Sequence, residues 1–179
     1  VLLGFMKDTE AVGYFTAATK IMVITMSISS ALGAVIMPRT SNLIAEERMD
    51  EFKALVQKSY DFIFALAMPL MVGLIFTSPS AVLLLSGEGF VPAILTSQIV
   101  AFNILTVGLS GVMGIQVLYP LGKINIVILC TSIGAIINVF LNVLLIPRYG
   151  HNGTAVAYML AEMTVTVSMF FIGKRYIPI

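Results

Sequence analysis

Two charged residues stand inside otherwise apolar runs, Lys20 and Glu162. Four amides share that setting, Gln98 and Asn103 in one run and Asn138 and Asn142 in another. A charge at the middle of a membrane helix costs about 2.5–3.5 kcal/mol on insertion scales, so each of the two needs a compensating role. Lys20 can attract an anion and Glu162 can carry a proton. Equally, the two can form a structural ion pair, or the lysine can snorkel to the interface. The amides suit a path for a hydroxyl-rich ligand, because each donates and accepts. They also hold helices together, at about 0.6 kcal/mol for an average interhelical bond in a membrane. Asn138 and Asn142 are four residues apart and share one helix face.

Catalysis has no comparable set. His151 is the single histidine and, beside Gly150, reads as a solvated turn residue. No carboxylate pair, Ser–His arrangement or glycine-rich phosphate loop is visible. The lone cysteine, Cys130, excludes an intrachain disulfide and any multi-cysteine metal site. The expectation is a protein with no catalytic residues, no metal and no cofactor.

The elements that must position these residues follow from composition. Of 179 residues, 59% are hydrophobic and 11% charged, against about 25% charged in a soluble domain. Mean hydropathy is +1.02, and apolar runs recur at lengths that cross a hydrocarbon core of roughly 30 Å. This predicts an all-α integral membrane protein, a single transmembrane domain of five spans at 11–37, 60–77, 93–119, 125–146 and 154–172. Pro38, Pro120 and Pro147 are expected to close the first, third and fourth spans, while Pro69 sits inside the second as a candidate kink and hinge. The stretch 39–58, where Leu43, Ile44, Phe52, Leu55 and Val56 recur among charges, reads as one amphipathic helix along the interface. Residues 79–86 read as a short surface helix. The chain opens on Val1 without a basic leader, and 1–6 reads as the tail of a helix, so the sequence is expected to be a piece of a longer protein.

Net charge is +1, without a basic face for nucleic acid. Its distribution is uneven. Arg39, Arg48, Lys53, Lys58, Lys123, Lys174 and Arg175 fall on one side of the predicted spans and only Lys7 and Arg148 on the other. The positive-inside rule then puts 39–58 and the C-terminal end in the cytoplasm. On that topology Lys20 and Glu162 enter from the same side, to depths of about 13 and 12 Å, and are placed to meet.

Several stretches carry a resemblance. They are Glu10-Ala11-Val12-Gly13-Tyr14-Phe15-Thr16-Ala17-Ala18-Thr19-Lys20, Met37-Pro38-Arg39, Gly87-Glu88-Gly89-Phe90, Gly114-Ile115-Gln116-Val117-Leu118-Tyr119-Pro120-Leu121-Gly122-Lys123 and Asn138-Val139-Phe140-Leu141-Asn142 running to Pro147-Arg148-Tyr149-Gly150. In this order they resemble the C-terminal half of polysaccharide flippases. These are the O-antigen and capsule repeat-unit transporters of the multidrug/oligosaccharidyl-lipid/polysaccharide superfamily.

The resemblance implies a fragment of a roughly 12- to 14-helix transporter in the bacterial cytoplasmic membrane. Its implied cargo is an undecaprenyl-pyrophosphate-linked oligosaccharide. Its implied partners are membrane lipids, the missing N-terminal half and a polysaccharide polymerase. For such a cargo Lys20 would attract a phosphate, Glu162 would carry a coupling proton or compete for Lys20, and Gln98, Asn103, Asn138 and Asn142 would line the sugar path. A cation-coupled multidrug exporter of the same superfamily and a non-transporting membrane scaffold subunit are the alternative readings.

Overall fold

The computed structural model describes residues 2–176, except for the side chains of 28–32 and 34. The described residues are helical almost throughout. The elements are α1 (Leu2–Met6), α2 (Thr9–Ala45), α3 (Met49–Ser86), a 3₁₀ turn (Glu88–Phe90), α4 (Ala93–Gly111), a π-helical segment (Val112–Leu118) and α5 (Ile124–Gly173). Asp8 starts α2, its carboxylate accepting from the Ala11 N–H at 2.7 Å, with Glu10 adding favourable charge in the first turn.

Helix ends differ from the expected stops, each for a local reason. Pro38 does not end α2, which runs on to Ala45. The break comes at Glu46–Arg48, where the Glu47 N–H bonds the Ile44 carbonyl and the Arg48 N–H bonds the Leu43 carbonyl. Glu47 takes φ 59° there, the left-handed position usually given to glycine. The 39–58 stretch is therefore two helix ends and the turn between them, not one helix along the interface. The Arg48 guanidinium braces that turn against Glu46 and Glu51, both at 2.7 Å. Residues 79–86 continue α3 without interruption and form no separate surface helix.

Three described helical stretches are long and apolar enough to cross a membrane, Met49–Ser86, Ala93–Leu118 and Ile124–Gly173. The last holds 50 residues, about 75 Å of helix and more than twice a hydrocarbon core. It is a hairpin. Pro147 lies within it, and the chain reverses at Gly150, whose φ 55° and ψ −131° are not helical. A Cβ on Gly153 would stand 2.6 Å from the Leu145 carbonyl oxygen, and one on Gly134 would strike Val165 Cγ2. The two halves are thus antiparallel and packed almost backbone to backbone.

The other contacts fix direction. Ile63 meets Gly108 and Ile75 meets Gln98, so α3 and α4 are antiparallel. Tyr14 meets Phe90 and Gly33 meets Gln116, so α2 and α4 run the same way. Thr96 pairs with Asn152 and Thr106 with Thr166, which aligns the second half of α5 with α4. Helix α4 is central, with α2, α3 and α5 all packed on it. Large apolar side chains face outward, Phe76 and Leu84 being 79% and 85% exposed. Such a surface would drive association in water and is stable in hydrocarbon.

Candidate functional site

The Phe15 and Tyr158 rings meet at 6.4 Å, so α2 and the second half of α5 are level at this point. About one turn further along these parallel helices come Lys20 and Glu162, at matching depth within a few ångström. They do not pair. Among the described residues the ion pairs are those of Arg48. Lys20 lies on an exposed strip of α2 with Thr16, Val23 and Ile24, whereas Glu162 is half-buried. The expected meeting fails because equal depth does not fix azimuth. One turn beyond Glu162, the Thr166 hydroxyl donates to the carbonyls of Glu162 and of Thr106 on α4, both at 2.8 Å.

The four amides separate into different roles. Gln98 Nε2 donates to the Ile75 carbonyl of α3 at 3.2 Å. Ile75 lies four residues before Pro79, so this carbonyl is the acceptor that the proline leaves without its helical N–H. The Ser78 hydroxyl reaches the same oxygen at 3.0 Å. Gln98 is thus engaged in bracing two helices. Asn142 Nδ2 donates to the carbonyl and the side-chain oxygen of Asn138, at 2.9 and 3.0 Å, while its own Oδ1 is buried without a hydrogen-bond partner. Asn103 is fully buried, with neither amide atom bonded. Ser97 Oγ, Thr154 Oγ1 and His151 Nε2 are buried and unbonded as well. A buried polar group without a partner costs about 1–3 kcal/mol, so each of these groups carries a cost that its described neighbours do not offset.

Of these groups His151 also lines a cavity of about 810 Å³, bounded by the α1–α2 junction, α4 and the α5 hairpin turn. Lys7, Glu10, Tyr14, Arg148, His151 and Asn152 supply its polar lining. The Tyr14 hydroxyl donates to Glu10 Oε1, and the His151 ring lies 5.1 Å from that of Tyr14, tilted 59° to it. His151 is therefore a half-buried helical residue and not a solvated turn residue. Asn152 Oδ1 accepts from Thr96 Oγ1 at 2.7 Å, tying the hairpin to α4. Asp8 is occupied by the α2 cap, so Lys7 and Arg148 face the cavity with no ion-pair partner among the described residues.

Sequence reasoning missed this cavity because three distant segments build it. The available signal was the Glu10–Tyr14 spacing of one helical turn. It also passed over Gln116, which is 3% exposed inside the π segment with Oε1 unbonded. Among the described residues, no three of His, Cys, Asp and Glu cluster as a metal centre.

The family model described as lipid II flippase MurJ matches residues 8–179. The chain is also 25% identical over 166 residues to the probable low-salt glycan biosynthesis flippase Agl15 of Haloferax volcanii, an alignment covering 93% of this chain and 35% of that protein. It thus spans about a third of the length of that relative.

Proposed function

The chain belongs to the lipid II flippase MurJ family, a family of multi-pass membrane transporters and not of enzymes, and we propose that it forms part of a flippase for lipid-linked oligosaccharide. The proposed cargo is an undecaprenyl-pyrophosphate-linked repeat unit. In this reading α2, α3, α4 and the two halves of α5 make five crossings of the cytoplasmic membrane. The cytoplasmic assignment of the C-terminal end is supported by the seven basic residues gathered on that side.

One observation carries the proposal: Lys20 stands on an exposed strip of α2, level with Glu162 and unpaired with it. A lysine on a membrane-helix face costs free energy unless that face borders a polar passage. The absent half of the transporter is the natural other wall. Lys20 then attracts the pyrophosphate. Half-buried Asn138 offers an amide to sugar hydroxyls, the buried amides of Asn103 and Asn142 join it when the helices part, and Glu162 carries the coupling proton. Gln98, engaged with Ile75, is left out of the passage.

The test uses the full-length protein and reads glycan delivered to the outer leaflet, with folded protein quantified in parallel. Lys20→Ala should abolish delivery and Lys20→Arg should keep part of it. A structural ion pair predicts recovery in the Lys20→Ala, Glu162→Ala double variant, because removing both charges leaves none unpaired. A cargo-binding lysine predicts no recovery. Full delivery by the double variant would defeat the proposal.

A further inference from the structure

Helices α3 and α5 both pack on α4 but scarcely on one another. Between them runs a crevice made of two adjoining cavities, of about 430 and 330 Å³, which share Tyr60, Met113 and Phe170. One end of it is basic and amphipathic, lined by Lys53, Gln57 and Lys174. The other is apolar apart from Thr166, lined by Leu109, Val167 and Phe171. Its outer wall is open, since Val167, Phe170 and Phe171 remain 51%, 51% and 57% exposed.

We propose that this crevice binds an anionic glycerophospholipid, its phosphate held between Lys53 and Lys174 and one acyl chain laid over Met113, Leu109 and Val167. Charge and polarity run in the order such a lipid requires. The Lys174 ammonium already stands 4.9 Å from the Phe171 ring centre, at the join between the basic end and the apolar wall. Neither lysine has an ion-pair partner among the described residues. The carboxylate of Asp61, on the same helix as Lys53, accepts from Gln57 Nε2 at 2.9 Å. A zwitterionic headgroup would add its own cation beside two ammoniums, whereas an anionic one would not. Basic pockets between membrane helices take anionic headgroups for this reason. The inference needs only that the helices span a membrane, and its readout is lipid occupancy, independent of whether the cargo reading holds.

The test places a reporter in the wall of the crevice. Phe170→Trp is introduced into the full-length transporter, and fluorescence is compared with that of the parent in bilayers containing phosphatidylglycerol or phosphatidylcholine with brominated acyl chains. The added signal should be quenched with a preference of about thirtyfold for the anionic lipid, since each of the two lysines near the surface contributes about 1 kcal/mol. Lys53→Gln with Lys174→Gln should bring that preference close to one. Lys53→Arg with Lys174→Arg should retain it, which keeps the test decisive if the glutamine pair folds poorly. Equal quenching by both lipids, or a preference that survives the glutamine pair, would overturn the proposal. So would displacement by a polyprenyl phosphate at equal concentration, which would give the crevice to the carrier lipid. Absence of quenching by either lipid would overturn the proposal too, leaving the crevice to protein.

Discussion

Gln98 on α4 gives its amide to the Ile75 carbonyl on α3, the oxygen that Pro79 deprives of its helical donor. The break in one helix thus becomes an attachment point for the next. Membrane helices tolerate proline where neighbouring groups re-satisfy the freed carbonyl, and here Ser78 and Gln98 both do so.

This relationship predicts a coupling between Gln98 and Pro79. In the full-length protein Gln98→Leu should destabilise by about 0.6 kcal/mol, the average for an interhelical bond, with the Ser78 hydrogen bond limiting the loss. In a Pro79→Ala background, where the helical N–H returns, the same change should cost less. Thermal denaturation of the four proteins in detergent measures the cycle, and equal losses in both backgrounds would show that Gln98 acts elsewhere.

Pro69 is the contrasting case. The carbonyl that it frees is that of Ala65, and no described side chain bonds to it. An unbraced break is the one able to flex. Pro69→Ala should therefore lower glycan delivery with little change in the amount of folded protein. Unchanged delivery would assign the proline to packing.

The α5 hairpin predicts two unlike glycine effects. Gly134→Ala drives a methyl into Val165 and should cost about 1–3 kcal/mol by overpacking. Val165→Ala in the same chain should return most of it. Gly153→Ala instead meets the Leu145 carbonyl oxygen, with its Cβ at 2.6 Å. That contact is with backbone, so Leu145→Ala should not relieve it. Yields of folded protein after detergent extraction distinguish the two.

Orientation has its own test. In a Cys130→Ser background, cysteines at the exposed positions Glu47 and Lys174 should resist an impermeant thiol reagent in intact cells, while one at Glu88 should label. The reverse pattern would invert the proposed topology.

Helix and membrane were legible in the sequence because apolar run length alone decides them, whereas the reversal expected at Pro147 comes three residues later, at Gly150. Turn positions were less legible. Pro38 and Pro79 read as punctuation, yet a long apolar helix absorbs a missing hydrogen bond more easily than it stops. Glu47 gave no sign of its left-handed backbone, because glycine is the usual signal and glutamate is not. In the candidate site, the depths of Lys20 and Glu162 could be counted along the chain, but whether they pair depends on rotation about two helix axes. Gln98 looked like a sugar-binding amide because its acceptor is created by a proline on another helix.

The tightness of the α5 hairpin bears on how the protein is made. With the chain reversing at Gly150 and the halves in near-backbone contact, the turn leaves little chain between the two helices. So short a turn suits entry of the pair as one unit, a closed fork. In the proposed orientation its tip carries Arg148, His151 and Asn152 through the hydrocarbon. The transient burden of that arginine, about 2.5–3.5 kcal/mol at the bilayer centre, is outweighed by the apolar length of two helices arriving at once.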